Sequence, residues 1–379
     1  MSRIIIQNGN MCELDLPLKF AQKLYNEFAI RHPNAFYLRT RQRGMQNWDG
    51  KIHYITKTGQ FKIGLLPKVY DMCIEMGIKP KVVDMRQPLP KVSKVVTNIG
   101  KYKLRPEQEK AVKAVINNKI GNTPFHIGVL DYTVNAGKTL IMSSLYLSYK
   151  KQLKTLLITN DSDWLNQARE EFKQYLPGED ITFVQGKVLN WSNFTIGMVQ
   201  SISRNMRFYQ KELSQIDMVL IDEADQGGSK QYQNVITRLF NTRIRIGLSG
   251  TIYMSKLAKD RVKNMNLECF FGKVIAEFKL KDSIKKGYST KTVVKMVPGK
   301  PWYGNWESDC ISYKEIYDDS ITNCYTAWLM AYNRLLWNLN QGRYPALVVC
   351  KHIAHCENLY KFFKKKLGDA YNIAYVHVN

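Results

Sequence analysis

The chain has 379 residues, 45% of them hydrophobic and 23% charged, which is typical of a globular protein of two or three domains. No apolar run approaches about 18 residues, the N-terminus turns polar too early for a secretory signal, and seven cysteines without framework spacing suit a reducing compartment, so we expect a cytoplasmic protein without a membrane partner. Lys and Arg number 56 against 32 Asp and Glu, and this net charge of +24 indicates a polyanionic partner such as nucleic acid. The alternative is a basic surface that is merely solvated.

The first block, residues 1–92, is predicted to be a small α+β accessory domain that binds DNA. A strand is expected at 4–6, a helix at 16–28, and short alternating segments at 35–38 and 51–55. This block holds 15 Lys and Arg against 7 Asp and Glu. A linker at 87–94 is expected to lead out of it.

An alternating set of cations in this block is predicted to contact nucleic acid. Arg39, Arg41 and Arg43 occupy every second position, so they would share one face of a strand near Trp48. Trp48 is either a base-stacking residue or a core aromatic.

The second block, residues 93–280, alternates apolar β-branched runs with helical patterns. The expected strands are at 126–130, 155–159, 195–199, 218–221 and 245–248. Nearly continuous apolar strands that alternate with helices predict an α/β fold with a parallel sheet covered on both faces.

The third block, residues 281–379, contains less than a complete domain. Helices are expected at 321–339 and 354–366, and strands at 346–350 and 372–376. One strand-helix-strand unit is too little for a doubly wound sheet, so we expect this block to be the start of a domain that is incomplete in this chain.

A phosphate-binding loop is predicted between the strand at 126–130 and a helix at 140–147. The loop ends in Asn135, Ala136, Gly137, Lys138 and Thr139. In such a loop the backbone N–H groups bind the phosphates of ATP, the lysine reaches the β and γ oxygens, and the threonine hydroxyl binds Mg²⁺. Tyr132 stands where the motif has its first glycine.

A pair of carboxylates, Asp222 and Glu223, ends the predicted strand at 218–221. Charged residues at the carboxyl end of a buried parallel strand point to the ligand crevice of an open sheet. Asp222 is expected to hold Mg²⁺, and Glu223 to orient and deprotonate the attacking water. Together with Lys138, these are the predicted catalytic residues.

These motifs, in this order, resemble those of the superfamily-two helicases, whose motor domains are RecA-like. The resemblance implies that Gln108 reads the adenine edge, although a simple exposed helix residue is the alternative. It implies DNA contacts for Asn160, where the family usually has proline, and for Gly197 and Gln200. It further implies that Ser249 and Thr251 couple the ATP state to the grip on DNA.

Further segments, at 46–52, 64–66 and 351–355, resemble the branch-remodelling DNA helicases of T-even phages. This resemblance implies an ATP-dependent enzyme that acts on branched or forked DNA in phage recombination, replication and repair, in the host cytoplasm. The family's γ-phosphate arginines lie in motifs not found here, so a separate polypeptide is expected to supply them, or the chain is a fragment. A nucleotide-gated DNA clamp without catalysis and an RNA helicase remain as alternatives.

Overall fold

A computed structural model describes residues 2–41, 44–149, 152–186, 188–253, 260–291, 312–343 and 345–375. The chain divides into two compact units, Met1–Lys291 and Thr292–Asn379. Within the described ranges, no helix has the length and apolar character needed to cross a membrane.

The first unit begins with a small sheet and three helices, here called the N-terminal module (residues 2–84). Its elements are β1 Arg3–Ile6, β2 Met11–Asp15, α1 Leu18–Glu27, β3 Ala29–Arg31, α2 Ala35–Arg41, β4 Lys51–His53, β5 Gln60–Lys62, α3 Leu66–Glu75 and β6 Lys81–Asp84. The sheet order is β5-β2-β1-β6, with β1 antiparallel to β2 and parallel to β6. Alternate residues such as Ile4, Ile6 and Cys12 are fully buried, so this module has the one-sided pattern that its sequence predicts.

One element of the module differs from its prediction. Residues 35–41 form helix α2, whereas a strand carrying Arg39 and Arg41 on one face was expected. Two residues apart on a helix point about 200° apart, so these two arginines do not share a face. Seven residues are too few for an alternating pattern to be separated from a helical one. Arg43 lies outside the described residues.

The rest of the first unit, residues 98–285, is here called the motor domain after the function that its sequence predicts. Its elements are β7 Asn98–Ile99, β8 Tyr102–Lys103, α4 Pro106–Ile116, β9 Lys119–Ile120, β10 Thr123–Pro124, β11 His126–Tyr132, α5 Lys138–Ser148, β12 Thr155–Thr159, α6 Ser162–Tyr175, β13 Ile181–Gln185, β14 Val188–Leu189, β15 Phe194–Met198, α7 Val199–Arg204, α8 Gln210–Ser214, β16 Met218–Asp222, α9 Lys230–Ile236, β17 Ile244–Ser249, α10 Arg261–Phe271, β18 Val274–Phe278 and α11 Leu280–Lys285. Short 3₁₀ helices lie at Ile63–Leu65 in the module and at Ala224–Gln226 here.

The motor sheet has the order β14-β13-β15-β12-β16-β17-β11-β18, and every pairing except β13 with β14 is parallel. Every residue of β11, β12, β16 and β17 is buried, which explains their nearly continuous apolar sequences. The five predicted strands are present, and the RecA-like α/β prediction for this region is confirmed.

The module and the motor domain pack directly on each other. The Cβ that any other residue would place at Gly9 would lie 2.5 Å from the main-chain oxygen of Leu239, so the β1–β2 turn approaches the motor too closely for a side chain. Arg245, fully buried on β17, donates hydrogen bonds to Gly9 O at 2.6 Å, Asn10 Oδ1 at 2.8 Å and Phe270 O at 3.1 Å. The predicted boundary near residue 92 therefore separates two sheets within one compact unit.

The second unit is helical over its described residues. It contains α12 Tyr313–Tyr317, a π-helical segment Asp318–Thr322, α13 Tyr325–Asn340, α14 Ile353–Leu367 and a 3₁₀ turn Gly368–Ala370. The two predicted helices are confirmed. The predicted strand at 346–350 is absent. Of the predicted strand at 372–376, the structure describes residues 372–375, and these do not form a strand. A strand needs neighbours for its N–H and C=O groups, and the described part of this unit offers none.

Candidate nucleotide-binding site

Three neighbouring parallel strands bring the predicted site together at one edge of the motor sheet. β17 lies between β11, which leads into the phosphate loop, and β16, which ends in the carboxylates. Because parallel strands end at the same edge, Lys138 and Glu223 meet there although they are 85 positions apart in the chain.

The phosphate loop makes a tight turn into helix α5. Asn135 and Gly137 have positive φ angles of 62° and 74°, and α5 begins at Lys138. A Cβ at Gly137 would lie 2.3 Å from Gln108 Nε2, so both the backbone angle and the space require glycine. The free N–H groups at the start of α5 suit a phosphate.

Tyr132, which replaces the motif's first glycine, belongs to the core. It is fully buried at the end of β11, and its hydroxyl donates to the main-chain oxygen of Glu107 at 2.8 Å. Its ring packs against Phe278. The departure from the motif therefore joins β11 to α4 and β18 without placing a side chain into the phosphate loop.

Gln108 braces the loop from helix α4. It is fully buried, so it is not the exposed helix residue that was the alternative. Its Nε2 donates to the main-chain oxygen of Ala136 at 2.8 Å, and its Oε1 accepts from the N–H of Arg105 at 2.8 Å. Its contact with adenine stays a prediction.

Lys138 faces both carboxylates of the acidic box. Its Nζ lies 3.1 Å from Asp222 Oδ1 and 3.4 Å from Glu223 Oε1. Burial lowers the pKa of Lys138, but the charges of Asp222 and Glu223 outweigh this and raise it overall, so the amine is held as a cation. A positive charge is thereby kept where the motif places phosphate oxygens.

Glu223 has the environment of a general base. It adopts the left-handed backbone conformation, φ 50° and ψ 52°, which is uncommon for a residue with a side chain and is enriched at functional sites. Burial raises its pKa; the charge of Lys138 partly offsets this, and Asp222 adds to the rise. A carboxylate with a raised pKa binds a proton more readily than an ordinary one.

The residues around the loop fit ATP with Mg²⁺. Asp222 is 2% exposed, and the Lys138 ammonium at 3.1 Å is the cation that its Oδ1 contacts in the described structure. The Thr139 hydroxyl belongs to the first turn of α5. A carboxylate and a hydroxyl beside a phosphate loop are the oxygen ligands that Mg²⁺ takes.

Of the two predicted coupling residues, Ser249 is hydrogen-bonded to the acidic box and Thr251 is hydrogen-bonded to Ser249. Ser249 Oγ donates to Asp225 Oδ1 at 2.9 Å and accepts from the N–H of Thr251 at 3.1 Å. Ser249 is fully buried at the carboxyl end of β17. A hydrogen-bonded path therefore joins the acidic box to the loop after β17.

Of the three predicted DNA-contacting residues of the motor domain, the structure brings Asn160 and Gln200 into contact. Gln200 Nε2 donates to the main-chain oxygen of Asn160 at 3.2 Å, so these two residues are neighbours at the ends of β12 and β15. Gly197 is buried, and a Cβ there would lie 2.6 Å from Ile202 Cδ1. Packing against Ile202 explains that glycine, and its contact with DNA stays a prediction.

In the module, Arg39 and Arg41 are exposed, and the guanidinium of Arg41 lies over the Tyr37 ring at 5.1 Å. Arg39 lines a cavity of about 500 Å³ together with Phe36 and Lys51. Trp48 is partly exposed, and its Nε1 donates to the main-chain oxygen of Lys51 at 2.9 Å. It is therefore not a buried core aromatic, and its stacking on a base stays a prediction.

Arg105 was missed at the sequence level. Its guanidinium donates to the main-chain oxygen of Asn135 in the phosphate loop at 3.2 Å and lies 4.3 Å from the ring centre of Tyr288. The only signal was its place three residues before Gln108.

Comparisons with known proteins agree with this geometry. The family described as "Type III restriction enzyme, res subunit" matches residues 101–254. The ATP-dependent DNA helicase UvsW of Enterobacteria phage T4 is 20% identical over 372 residues, covering 86% of this chain and 66% of the relative. The chain thus spans just under two thirds of the relative's length.

Two solved structures of the T4 helicase UvsW show a similar fold. One, described as the UvsW helicase from bacteriophage T4, has a TM-score of 0.57 at 20% identity and covers 73% of this chain and 99% of its own. The other has a TM-score of 0.56 at 18% identity, with coverages of 96% and 73%. The resemblance to superfamily-two helicases and to UvsW in particular is confirmed.

Proposed function

We propose that this chain, a superfamily-two helicase relative resembling UvsW, is an ATP-dependent DNA helicase or translocase that remodels branched or forked DNA. The observation that carries the proposal is Lys138 held between Asp222 and Glu223 at the end of three parallel strands. A binding protein without turnover has no need of Glu223, whose raised pKa is that of a base.

The residues of the site divide the work of hydrolysis. The loop N–H groups, Lys138 and Thr139 would bind the phosphates and Mg²⁺, and Asp222 would hold the metal. Bound Mg²⁺ neutralises charge on the phosphates. Glu223 orients the attacking water and accepts its proton. Ser249 and Thr251 would transmit the state of the acidic box to the DNA contacts near Asn160 and Gln200.

DNA is the proposed polymer for two reasons. The net charge of +24 suits a polyanion, and the T4 relative is named a DNA helicase. The branched form of the substrate, and roles in phage recombination, replication and repair in the host cytoplasm, rest on the resemblance to that relative. Arg39, Arg41, Arg43 and Trp48 are the proposed contacts of the module.

A partner polypeptide is also part of the proposal. In phosphoryl transfer, an arginine on the γ-phosphate contributes about 10³–10⁵ in rate. In the described structure, the cation that contacts Asp222 and Glu223 is Lys138, and no arginine contacts either carboxylate there. We therefore propose that the arginines for the γ-phosphate come from the remainder of a second motor domain, as further chain or as a separate polypeptide.

Steady-state ATP hydrolysis measured with and without forked DNA tests the proposal. We expect DNA to stimulate turnover, and Lys138→Ala to lower it about 10²–10³-fold by removing the charge at the phosphates. Lys173→Ala is the matched control because that lysine makes only an exposed ion pair with Glu170.

Three outcomes separate the rivals. Equal turnover in Lys138→Ala and the unaltered chain would refute this site. Nucleotide binding without turnover, even after the second-domain portion of a relative is added, would favour the nucleotide-gated clamp. Stimulation by structured RNA but not by forked DNA would favour the RNA helicase.

A further inference from the structure

A cavity of about 500 Å³ on the N-terminal module has the lining of a ligand site, and the chemistry of the motor domain does not use it. It is bounded by helix α2, by the adjoining ends of β3 and β4, and by the loop before β4. Three cations line it, Arg31, Arg39 and Lys51, together with Phe36, which is 79% exposed. Pockets for small ligands have volumes of about 300–1,000 Å³, so one nucleotide unit is a suitable occupant.

The walls of this cavity are held in place by main-chain contacts. The N–H of His32 donates to Gly50 O at 2.9 Å, which joins the segment before α2 to the loop before β4. Gly50 has a φ of 77°, and a Cβ there would lie 3.1 Å from Ala35 Cβ, so the loop approaches α2 closely. Trp48 Nε1 donates to Lys51 O at 2.9 Å. The cavity therefore has its shape without a ligand.

The cations of the cavity are not neutralised by the protein around them. Arg31 and Lys51 are direct partners in the antiparallel register of β3 and β4, and like charges in such a pair are destabilising. Among the described residues, no ion pair joins Arg31, Arg39 or Lys51 to a carboxylate. Asp49 also lines the cavity, but its Oδ2 lies 2.6 Å from His53 Nε2 and its Oδ1 accepts from the N–H of Lys51 at 2.9 Å. A bound anion would offset the repulsion between the cations.

Phe36 places an aromatic ring beside these cations. The next residue, Tyr37, lies under the guanidinium of Arg41 at 5.1 Å and does not line the cavity. Cations that bind phosphates next to a ring that stacks on a base are the combination that binds single-stranded nucleic acid. The bases of a duplex are already stacked on each other, so a duplex offers these cations its phosphates but offers the ring no base.

We propose that this cavity binds an unpaired nucleotide of single-stranded DNA, with Phe36 stacked on the base and the three cations on the adjoining phosphates. The inference rests on the proposed function, because it names the part of a forked substrate that the module holds, which is an unpaired arm. The module then distinguishes a fork from an uninterrupted duplex by the ring, whereas the cations bind both.

Binding of fluorescein-labelled DNA to the full chain, measured by anisotropy at one salt concentration without ATP, tests this site. A fork with two unpaired arms is compared with a fully paired duplex of the same length. Loss of one base–aromatic stack corresponds to about 5–150-fold in affinity. We therefore expect Phe36→Ala to weaken binding of the fork at least about fivefold and to leave duplex binding unchanged, and Phe36→Trp to restore binding of the fork.

Tyr37→Ala is the matched control for the ring. Tyr37 is 55% exposed on the same helix but lies outside the cavity lining, so its removal should leave binding of the fork unchanged. Unchanged duplex binding in each preparation shows that the variant is folded.

Arg39→Ala tests the phosphate contacts. Loss of one contact to a single-strand phosphate should reduce the slope of log affinity against log salt concentration by about 0.7. Lys23→Ala is the control, because Lys23 is exposed on α1 and does not line the cavity, and its slope should equal that of the unaltered chain.

The outcomes separate this site from the proposed function. Equal affinity of the unaltered chain for fork and duplex, or equal losses in Phe36→Ala and Tyr37→Ala, would overturn the nucleotide cavity and leave the proposed function standing. Tighter binding of an RNA strand than of a DNA strand of the same sequence would overturn the assignment to DNA. Failure of the unaltered chain to bind either DNA would overturn the proposed function together with this site, and that result is visible before any residue is changed.

Discussion

Strand β17 carries a fully buried polar side chain near each end, and the two have different tasks. Arg245, near the amino end, donates to Gly9 O, Asn10 Oδ1 and Phe270 O. Ser249, four residues later on the same face, donates to Asp225. The arginine donates to two main-chain oxygens and one amide oxygen, which are structural contacts. The serine donates to a carboxylate of the acidic box. The same strand therefore contacts the N-terminal module at one end and the candidate nucleotide site at the other.

Of the substitutions that test these two roles, Arg245→Ala is expected to have the largest effect, and that effect is on the free energy of unfolding. Arg245→Ala leaves three buried oxygens without their donor, and we expect the free energy of unfolding in urea to fall by about 3 kcal/mol. Burial lowers the pKa of Arg245 to about 9, a sign of how much desolvation its hydrogen bonds offset.

Arg3→Ala is the control within the module. Its ion pair with Asp15 is half exposed, so its loss should cost less than about 1 kcal/mol. Equal losses in the two variants would show that the contacts of Arg245 do not fasten the module.

The next largest effect is expected on the coupling between DNA binding and ATP hydrolysis. Ser249→Ala removes the hydrogen bonds to Asp225 and from Thr251. We expect DNA stimulation of ATP hydrolysis to fall at least about tenfold, since hydrogen bonds to charged groups are worth about 1.5–3 kcal/mol, which corresponds to about 10–150-fold. Hydrolysis without DNA should change little. The comparison is of stimulated with basal rates in the same preparation.

Ser283→Ala controls for the loss of a buried serine, because Ser283 is fully buried and bonds to Ser289 away from the acidic box. Unchanged stimulation in Ser249→Ala would assign this serine to structure alone.

The smallest effect at neutral pH concerns Glu223. Its raised pKa means that the base becomes protonated, and turnover falls, at a higher pH than an ordinary glutamate would show. The acid limb of kcat against pH should therefore lie above 4.5, the ordinary value. A limb at or below that value would contradict the role of burial at this residue.

The sequence was sufficient for the central sheet and its motifs. Strands such as β11 and β16 are buried on both faces, so their sequences are nearly continuous apolar runs, and runs this short favour strands over helices of ten or more residues. The rule that parallel strands end at one edge was enough to place Lys138 near Asp222 and Glu223.

The remaining features depend on partners far away in the chain. The contact of Arg245 with Gly9 spans 236 positions, and no local pattern marks it. Residues 35–41 have a pattern compatible with both helix and strand. The apolar run at 346–350 has strand propensity, but Leu347 is 87% and Val349 is 82% exposed, and propensity without a neighbouring strand does not form a sheet.

The brace that Gln108 provides has a consequence for affinity. One amide holds Ala136 O in the phosphate loop and the N–H of Arg105 at the start of α4, so the loop has its shape before any ligand arrives. Ordering a flexible loop on binding would consume part of the interaction energy, and a loop that is already ordered avoids that loss. If the proposed function holds, the nucleotide meets an ordered receptor, and its binding energy remains available for conformational change.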